Sequence, residues 1–160
     1  MAHRIPQPND RRLRMQNGAN SVEVVLRWDG NFGRRRSQQF DRTQGYIDQK
    51  VIRLMVPYTP SRNNVLAKAA AQGTKIGSGL IVYLSPYGRY QYYGKVMVSS
   101  LTGSAYAVHG EKKVLTDRKL VYGTAKHPQA QAMWFETVKK QHGDAILRGA
   151  AAMAGGRASR

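Results

Sequence analysis

The chain contains no cysteine, and only nine of its 160 residues are acidic. Without cysteine there are no disulfides and no thiolate metal ligands, so folding in a reducing cytoplasm is expected. The few carboxylates are scattered from Asp10 to Asp144 with no close pair in sequence, which leaves general acid–base or metal-assisted hydrolysis without its usual residues. No enzyme is expected. Long apolar runs are missing too. Nowhere does the chain reach the roughly 18 residues that cross a bilayer, and residues 1–20 are polar and Arg-rich, with no apolar leader segment. A soluble chain with no membrane partner is expected.

What is present in excess is positive charge. Lys and Arg number 26, and the net charge of +17 repels other copies of the chain unless a polyanion or an acidic partner neutralises it. The length suits a single domain, and a hydrophobic content of 41% leaves part of the chain outside any packed core. Residues 1–20, with Pro6, Pro8, Arg4, Arg11, Arg12 and Arg14, are read as a basic arm that does not order by itself. Residues 21–154 are read as one α+β domain and residues 155–160 as a basic tail.

Within the domain, Val22, Val24, Leu26 and Trp28 alternate as in a half-buried strand over residues 21–28. Arg34, Arg35 and Arg36 follow in an expected loop, as a solvated charge run or as phosphate contacts. A helix capped by Asp41, with Gln44 three residues on, carries the stripe Ile47, Val51, Leu54 and Met55 and ends at Pro57. Residues 65–72 fit either a short helix or a loop. Residues 79–84 read as a buried strand and residues 91–99 as a second, with Gly94 marking a bulge or a close backbone approach. Residues 101–123 form a polar excursion, with a hairpin expected between 112–114 and 119–122. A closing helix is expected from Pro128 through Ala130, Met133, Trp134 and Val138, with an interruption at Gly143. The architecture predicted is a small antiparallel sheet packed by an N-terminal and a C-terminal helix.

Motifs for chemistry are weak. His3, His109, His127 and His142 lack the spacing of metal ligands on one helix face, and neither a metal nor another cofactor is expected. His109 with Glu111 is the nearest approach to a catalytic couple. Gly77-Ser78-Gly79 precedes an expected strand instead of opening a helix, so it reads as a turn and not as a phosphate cradle. Tyr83, Tyr87, Tyr90, Tyr92 and Tyr93 interleave with Arg89 and Lys95. That pattern suits base stacking, but strand packing or subunit assembly explains it better.

The segment Ser78-Gly79-Leu80-Ile81-Val82-Tyr83-Leu84-Ser85-Pro86-Tyr87-Gly88-Arg89-Tyr90-Gln91-Tyr92-Tyr93-Gly94 resembles a stretch of the minor capsid or tail-completion protein family of tailed phages, where it joins two strands across a Pro-Tyr turn. Two further pieces keep the family's order: Pro57-Tyr58-Thr59-Pro60 after a helix, and His127-Pro128-Gln129-Ala130 before Trp134-Phe135. After the proline loop, members often carry Thr-Gly and then Leu. This chain has Asn63-Asn64-Val65-Leu66, and Asn64 can take the left-handed backbone of the missing glycine.

The resemblance implies a non-enzymatic α+β subunit of the phage neck, assembled as a ring, expected to be hexameric, between portal or head-adaptor proteins and the tail terminator or tail tube, with genomic double-stranded DNA passing through. Arg11, Arg12, Arg14, Arg34, Arg35 and Arg36 are then the candidates to face DNA or an acidic partner, and Tyr87, Arg89, Tyr90, Tyr92 and Tyr93 the candidates for the subunit interface. The expected locations are the host cytoplasm during assembly and the head–tail junction of the virion afterwards. A free single-stranded nucleic-acid-binding module is the alternative.

Overall fold

The computed structural model describes residues 4–157. Its first feature is a two-stranded antiparallel ribbon, β1 (Arg11–Asn17) and β2 (Asn20–Leu26), in register from Arg11 opposite Leu26 to Asn17 opposite Asn20. Gly18, at φ 59°, holds the first of two turn positions, where a tight hairpin wants a positive φ that a Cβ disfavours. One expectation is corrected here. The Arg-rich segment read as an arm supplies β1, and it is ordered by pairing with β2, where Leu13 lies opposite Val24 and Met15 opposite Val22. The strand expected at residues 21–28 exists as β2, but it is not half-buried, since every residue of both strands is exposed.

The ribbon is fixed at its base. The Trp28 N–H donates to the Asp10 carboxylate at 2.9 Å, and the Gln7 side chain donates to the Asp29 carbonyl at 2.8 Å and accepts from the Gly33 N–H at 3.0 Å. The Trp28 ring packs on Phe32 with centroids 4.9 Å apart.

Helix α1 (Phe32–Met55) begins well before the expected cap at Asp41. Asp29 is responsible: its carboxylate accepts from Asn31, its carbonyl accepts from Phe32, and it pairs with Arg35 at 2.8 Å. Arg34, Arg35 and Arg36 therefore lie on the first turns of a helix and not in a loop. Pro57 stops the helix as expected, through a short 3₁₀ turn over Val56–Tyr58. Of the apolar stripe, Val51 and Met55 are buried, and Ile47 and Leu54 pack against that core.

The open choice at residues 65–72 resolves as helix α2 (Val65–Gly73), preceded by Asn64 in the left-handed conformation at φ 61°. Residues 79–84, expected as a strand, have no ladder. Their backbone is held instead by α1 and α2: the Asp48 carboxylate accepts from the Gly77 and Gly79 N–H groups, and Thr74 bonds both backbone groups of Val82. The Pro86-Tyr87 turn leads into a short helix, α3 (Gly88–Tyr93), so the two-strand arrangement implied by the resemblance is also corrected.

Strand β3 (Lys95–Ser99) is shorter than the expected 91–99 strand, because Gly94, left-handed at φ 65°, closes α3 just before it. It pairs antiparallel with β4 (Lys113–Lys119), with an irregularity between Lys95 and Met97. This long-range pair replaces the local hairpin expected between 112–114 and 119–122.

Helix α4 (Trp134–Met153) starts after the expected Pro128 and runs through Gly143 without a break. It packs on α1, and Val51, Met55, Tyr58, Trp134, Val138 and Ile146 form the core between them. The fold is α+β, with its strands in two separate two-stranded ribbons. Of the C-terminal tail, residues 158–160 lie outside the described residues, as does His3.

Candidate assembly surfaces

The three segments that carry the resemblance converge around one side chain. Trp134 is 1% exposed, and Tyr83 and Tyr92 meet its ring edge-on at 5.6 and 4.9 Å. Its indole N–H donates to the Tyr83 hydroxyl at 2.9 Å. The Met133 N–H donates to the Tyr92 carbonyl at 2.8 Å, and the left-handed backbone of Met133, at φ 51°, turns Trp134 inward at the start of α4. His127 Nδ1 lies 2.6 Å from the Thr59 carbonyl oxygen, which can only accept, so Nδ1 carries the proton. The Gln131 N–H donates to the Tyr58 carbonyl at 3.1 Å. Pro57–Pro60, Tyr83–Tyr93 and His127–Trp134 are thus joined by backbone as well as ring contacts.

Beside Trp134 the surface opens into an apolar cleft of about 410 Å³, lined by Met55, Ile81, Tyr83, Tyr92, Tyr93 and Phe135, with Arg89 as its one charged group. A second groove of about 600 Å³ is lined by Arg62, Tyr87, Tyr90, Tyr122 and Lys126 among others. The expected interface residues therefore divide, with Arg89, Tyr92 and Tyr93 at the cleft and Tyr87 and Tyr90 at the groove. Burial raises the Tyr83, Tyr90, Tyr92 and Tyr122 hydroxyls above the ordinary tyrosine range, helped at Tyr92 by the nearby Glu136 charge. The hydrogen bonds of Tyr83 to Thr59 and Trp134 act against that rise.

The β1–β2 ribbon is amphipathic. By register, Leu13, Met15, Val22, Val24 and Leu26 share one face, while Arg12, Arg14, Gln16, Ser21, Glu23 and Val25 share the other. The apolar face is uncovered, with Leu13 59% and Met15 68% exposed. Arg11 sits at the base of that face, and Arg12 makes a long 3.7 Å pair with Glu23. In the Arg34–Arg36 run, Arg34 points to solvent and Arg35 pairs with Asp29. Arg36 is partly occupied: it donates to Gln39 at 2.7 Å and to the Ala154 carbonyl at 3.5 Å, and it stacks over Phe32. Leu101, Tyr106, Val108 and Val121 add further exposed apolar surface around the excursion between β3 and β4 and just beyond it.

Glu111 has a structural job. Its carboxylate accepts from the Ser99 hydroxyl and from the Leu101 and Val108 N–H groups, and these bonds, Ser99 first, hold it below the usual carboxylate range. It organises the loop between β3 and β4. Among the described residues no group of three or more His, Asp or Glu side chains gathers as a metal site, and no helix is long and apolar enough to cross a membrane.

Sequence reasoning missed the amphipathic ribbon, whose signal was the alternation of Leu13 and Met15 either side of Arg14. It also missed the Trp134 cleft, which is assembled from distant segments. In comparisons with known proteins, no family model matches the chain, and neither a curated protein nor a solved structure is significantly similar to it.

Proposed function

We propose that the chain is a non-enzymatic structural subunit of the bacteriophage neck, a minor capsid or tail-completion protein that assembles with copies of itself as a ring joining head to tail. The observation that carries the assembly reading is surface area. A self-sufficient monomer of 17.9 kDa exposes about 8,000 Å², and this chain exposes 12250 Å². An obligate interface takes about 1,000–2,500 Å² from each partner, so the difference is enough for more than one such contact per chain. The apolar face of the ribbon and the exposed apolar groups of the excursion contribute to it.

The neck in particular is supported by the resemblance of residues 57–60, 78–94 and 127–135, which meet around Trp134. It is supported too by the charge of +17, which the genomic DNA passing through such a ring offsets. In this reading portal-side and tail-side proteins cap the two ends of the ring. Immunogold labelling of intact particles, with peptide mass spectrometry of the same particles, tests it. Label confined to the head–tail junction is the expected result, and particles free of the chain overturn it.

A second reading, a single-stranded nucleic-acid binder, is favoured by one feature: Tyr87 and Tyr90 stand edge-to-face at 5.8 Å in a groove that also holds Arg62 and Lys126. Tyr87→Ala with Tyr90→Ala separates the two readings. A stacking site loses about 1–3 kcal/mol per base, whereas a neck subunit keeps its weak, sequence-independent DNA affinity.

A further inference from the structure

We infer that the outer, apolar part of the β1–β2 ribbon face seats in the Trp134 cleft of a second copy of this chain, with Leu13 and Met15 meeting Tyr93 and Phe135. The inference rests on the assembly reading above and names its contact.

The ribbon is a preformed arm. Seven residue pairs make it roughly 24 Å long, and bonds from Asp10, Gln7 and Asp29 fix its base to the start of α1. It makes no extensive contact with any other element of its own chain, and the fixed base opposes folding back. An isolated two-stranded ribbon with both faces in water is at best marginally stable, so its apolar face calls for a cover.

Charge identifies that cover. Beyond Arg11 at its base, this face carries no ionised group from the Leu13–Val24 pair out to the turn, so its outer part offers nothing to a phosphate backbone. The opposite face, with Arg12 and Arg14, does. The cleft is equally uncharged apart from Arg89. With only the outer part of the ribbon seated and Arg11 left outside at its base, two chains of charge +17 can meet here without burying Arg11 against Arg89. The cleft's Met, Tyr, Trp, Phe and Arg are also the residues enriched at interface cores, and a thioether such as Met15 packs well on aromatic edges.

The size agrees as well. About 4,000 Å² of surplus surface leaves room for two contacts per subunit, one given by the arm and one received by the cleft, each at the standard of about 800 Å² per partner. Because the arm and the cleft are different patches, the contact is heterologous: it repeats head to tail and closes into a ring when the rotation allows.

The absence of cysteine permits a direct test on the full chain. Met15→Cys and Tyr93→Cys are placed in separate chains, mixed and oxidised. The expected product is a disulfide between the two chains, absent when Tyr93→Cys is replaced by Arg148→Cys on the exposed face of α4. In parallel, Leu13→Glu with Met15→Glu should raise the dissociation constant for self-association at least tenfold, with an unchanged helical circular dichroism signal because neither side chain belongs to the core between α1 and α4. No cross-link above the control overturns the inference. So does a chain that is monomeric up to its solubility limit, or self-association indifferent to the glutamates. A neck label on particles that yield no Met15–Tyr93 cross-link removes the arm contact and leaves the neck. Arm-dependent assembly by a chain missing from particles does the reverse.

Discussion

The indole N–H of Trp134 donates to the hydroxyl of Tyr83 across 51 positions of sequence, and this bond ties the start of α4 to the segment leading into α3. Tyr83→Phe keeps the ring and removes the acceptor, leaving a buried N–H unpaired. The expected cost is about 1–3 kcal/mol, against about 3–5 kcal/mol for Trp134→Ala, read from urea unfolding followed by circular dichroism.

The same cluster sets an alkaline limit. Tyr83, Tyr90, Tyr92 and Tyr122 all have hydroxyl pKa values raised above 10, chiefly by burial. A raised folded-state value means that the unfolded chain gives up these protons first. The stabilisation is therefore complete below pH 10 and is lost as pH rises through the folded-state values. Thermal midpoints should fall from about pH 10 upward, and less steeply in Tyr83→Phe. An identical slope in that variant contradicts the assignment.

Asp48 is 2% exposed and accepts three bonds, from Gln44 at 2.7 Å, Gly77 at 2.7 Å and Gly79 at 3.2 Å. It is the clamp that lets residues 77–84 cross α1 without a ladder. Asp48→Asn presents an amide to those donors and should cost about 2–3 kcal/mol. The first amides to gain hydrogen exchange should be Gly77, Gly79 and Val82. Uniform loss of protection across α1 and α4 would show that the carboxylate supports the whole core and not this segment.

Two glycines in helices should respond oppositely to alanine. At Gly73 a Cβ would lie 2.5 Å from the Val82 carbonyl oxygen, so Gly73→Ala should destabilise by about 1–3 kcal/mol. At Gly143 nothing lies within 4 Å of an added Cβ, and Gly143→Ala should stabilise by about 0.5–1 kcal/mol through helix propensity. Matched chemical denaturation curves check both signs.

Local signals carried part of this fold. Pro57 as the stop of α1 and the Ile47–Met55 stripe were legible, because each depends on residues a turn away or less, and the left-handed Asn64 was legible only as the stand-in for the glycine of the resembling family. The start of α1 was not, since a charge run next to Asp29-Gly30-Asn31 reads as loop until Asp29 is seen bonding Asn31, Phe32 and Arg35. The β-branched residues 81–82 misled in another way: strand propensity is a preference for a half-buried pleated surface, and here Thr74 takes both backbone groups of Val82 while Asp48 holds Gly77 and Gly79 just before them. Of the candidate surfaces, the Tyr-rich segment was visible as composition. The cleft was not, because Met55, Tyr83, Tyr92 and Trp134 come together only through pairings across the whole chain.

The basic residues should not act alike on DNA. Arg12, Arg14 and Arg34 are exposed, whereas Arg36 is spent on Gln39, Ala154 and Phe32. Each phosphate contact contributes about −0.9 to the slope of log affinity against log salt for duplex DNA. Arg12→Ala, Arg14→Ala and Arg34→Ala should each make that slope shallower by about one unit, equally on unrelated sequences. Arg36→Ala should leave the slope nearly unchanged and slightly lower the thermal midpoint, because it removes the Ala154 bond and the packing on Phe32 while Gln39 still holds the Met153 carbonyl. Fluorescence anisotropy over a salt series gives the slopes. If Arg36→Ala shifts the slope as much as Arg34→Ala does, the guanidinium faces the duplex and the Gln39 and Ala154 bonds give way on binding.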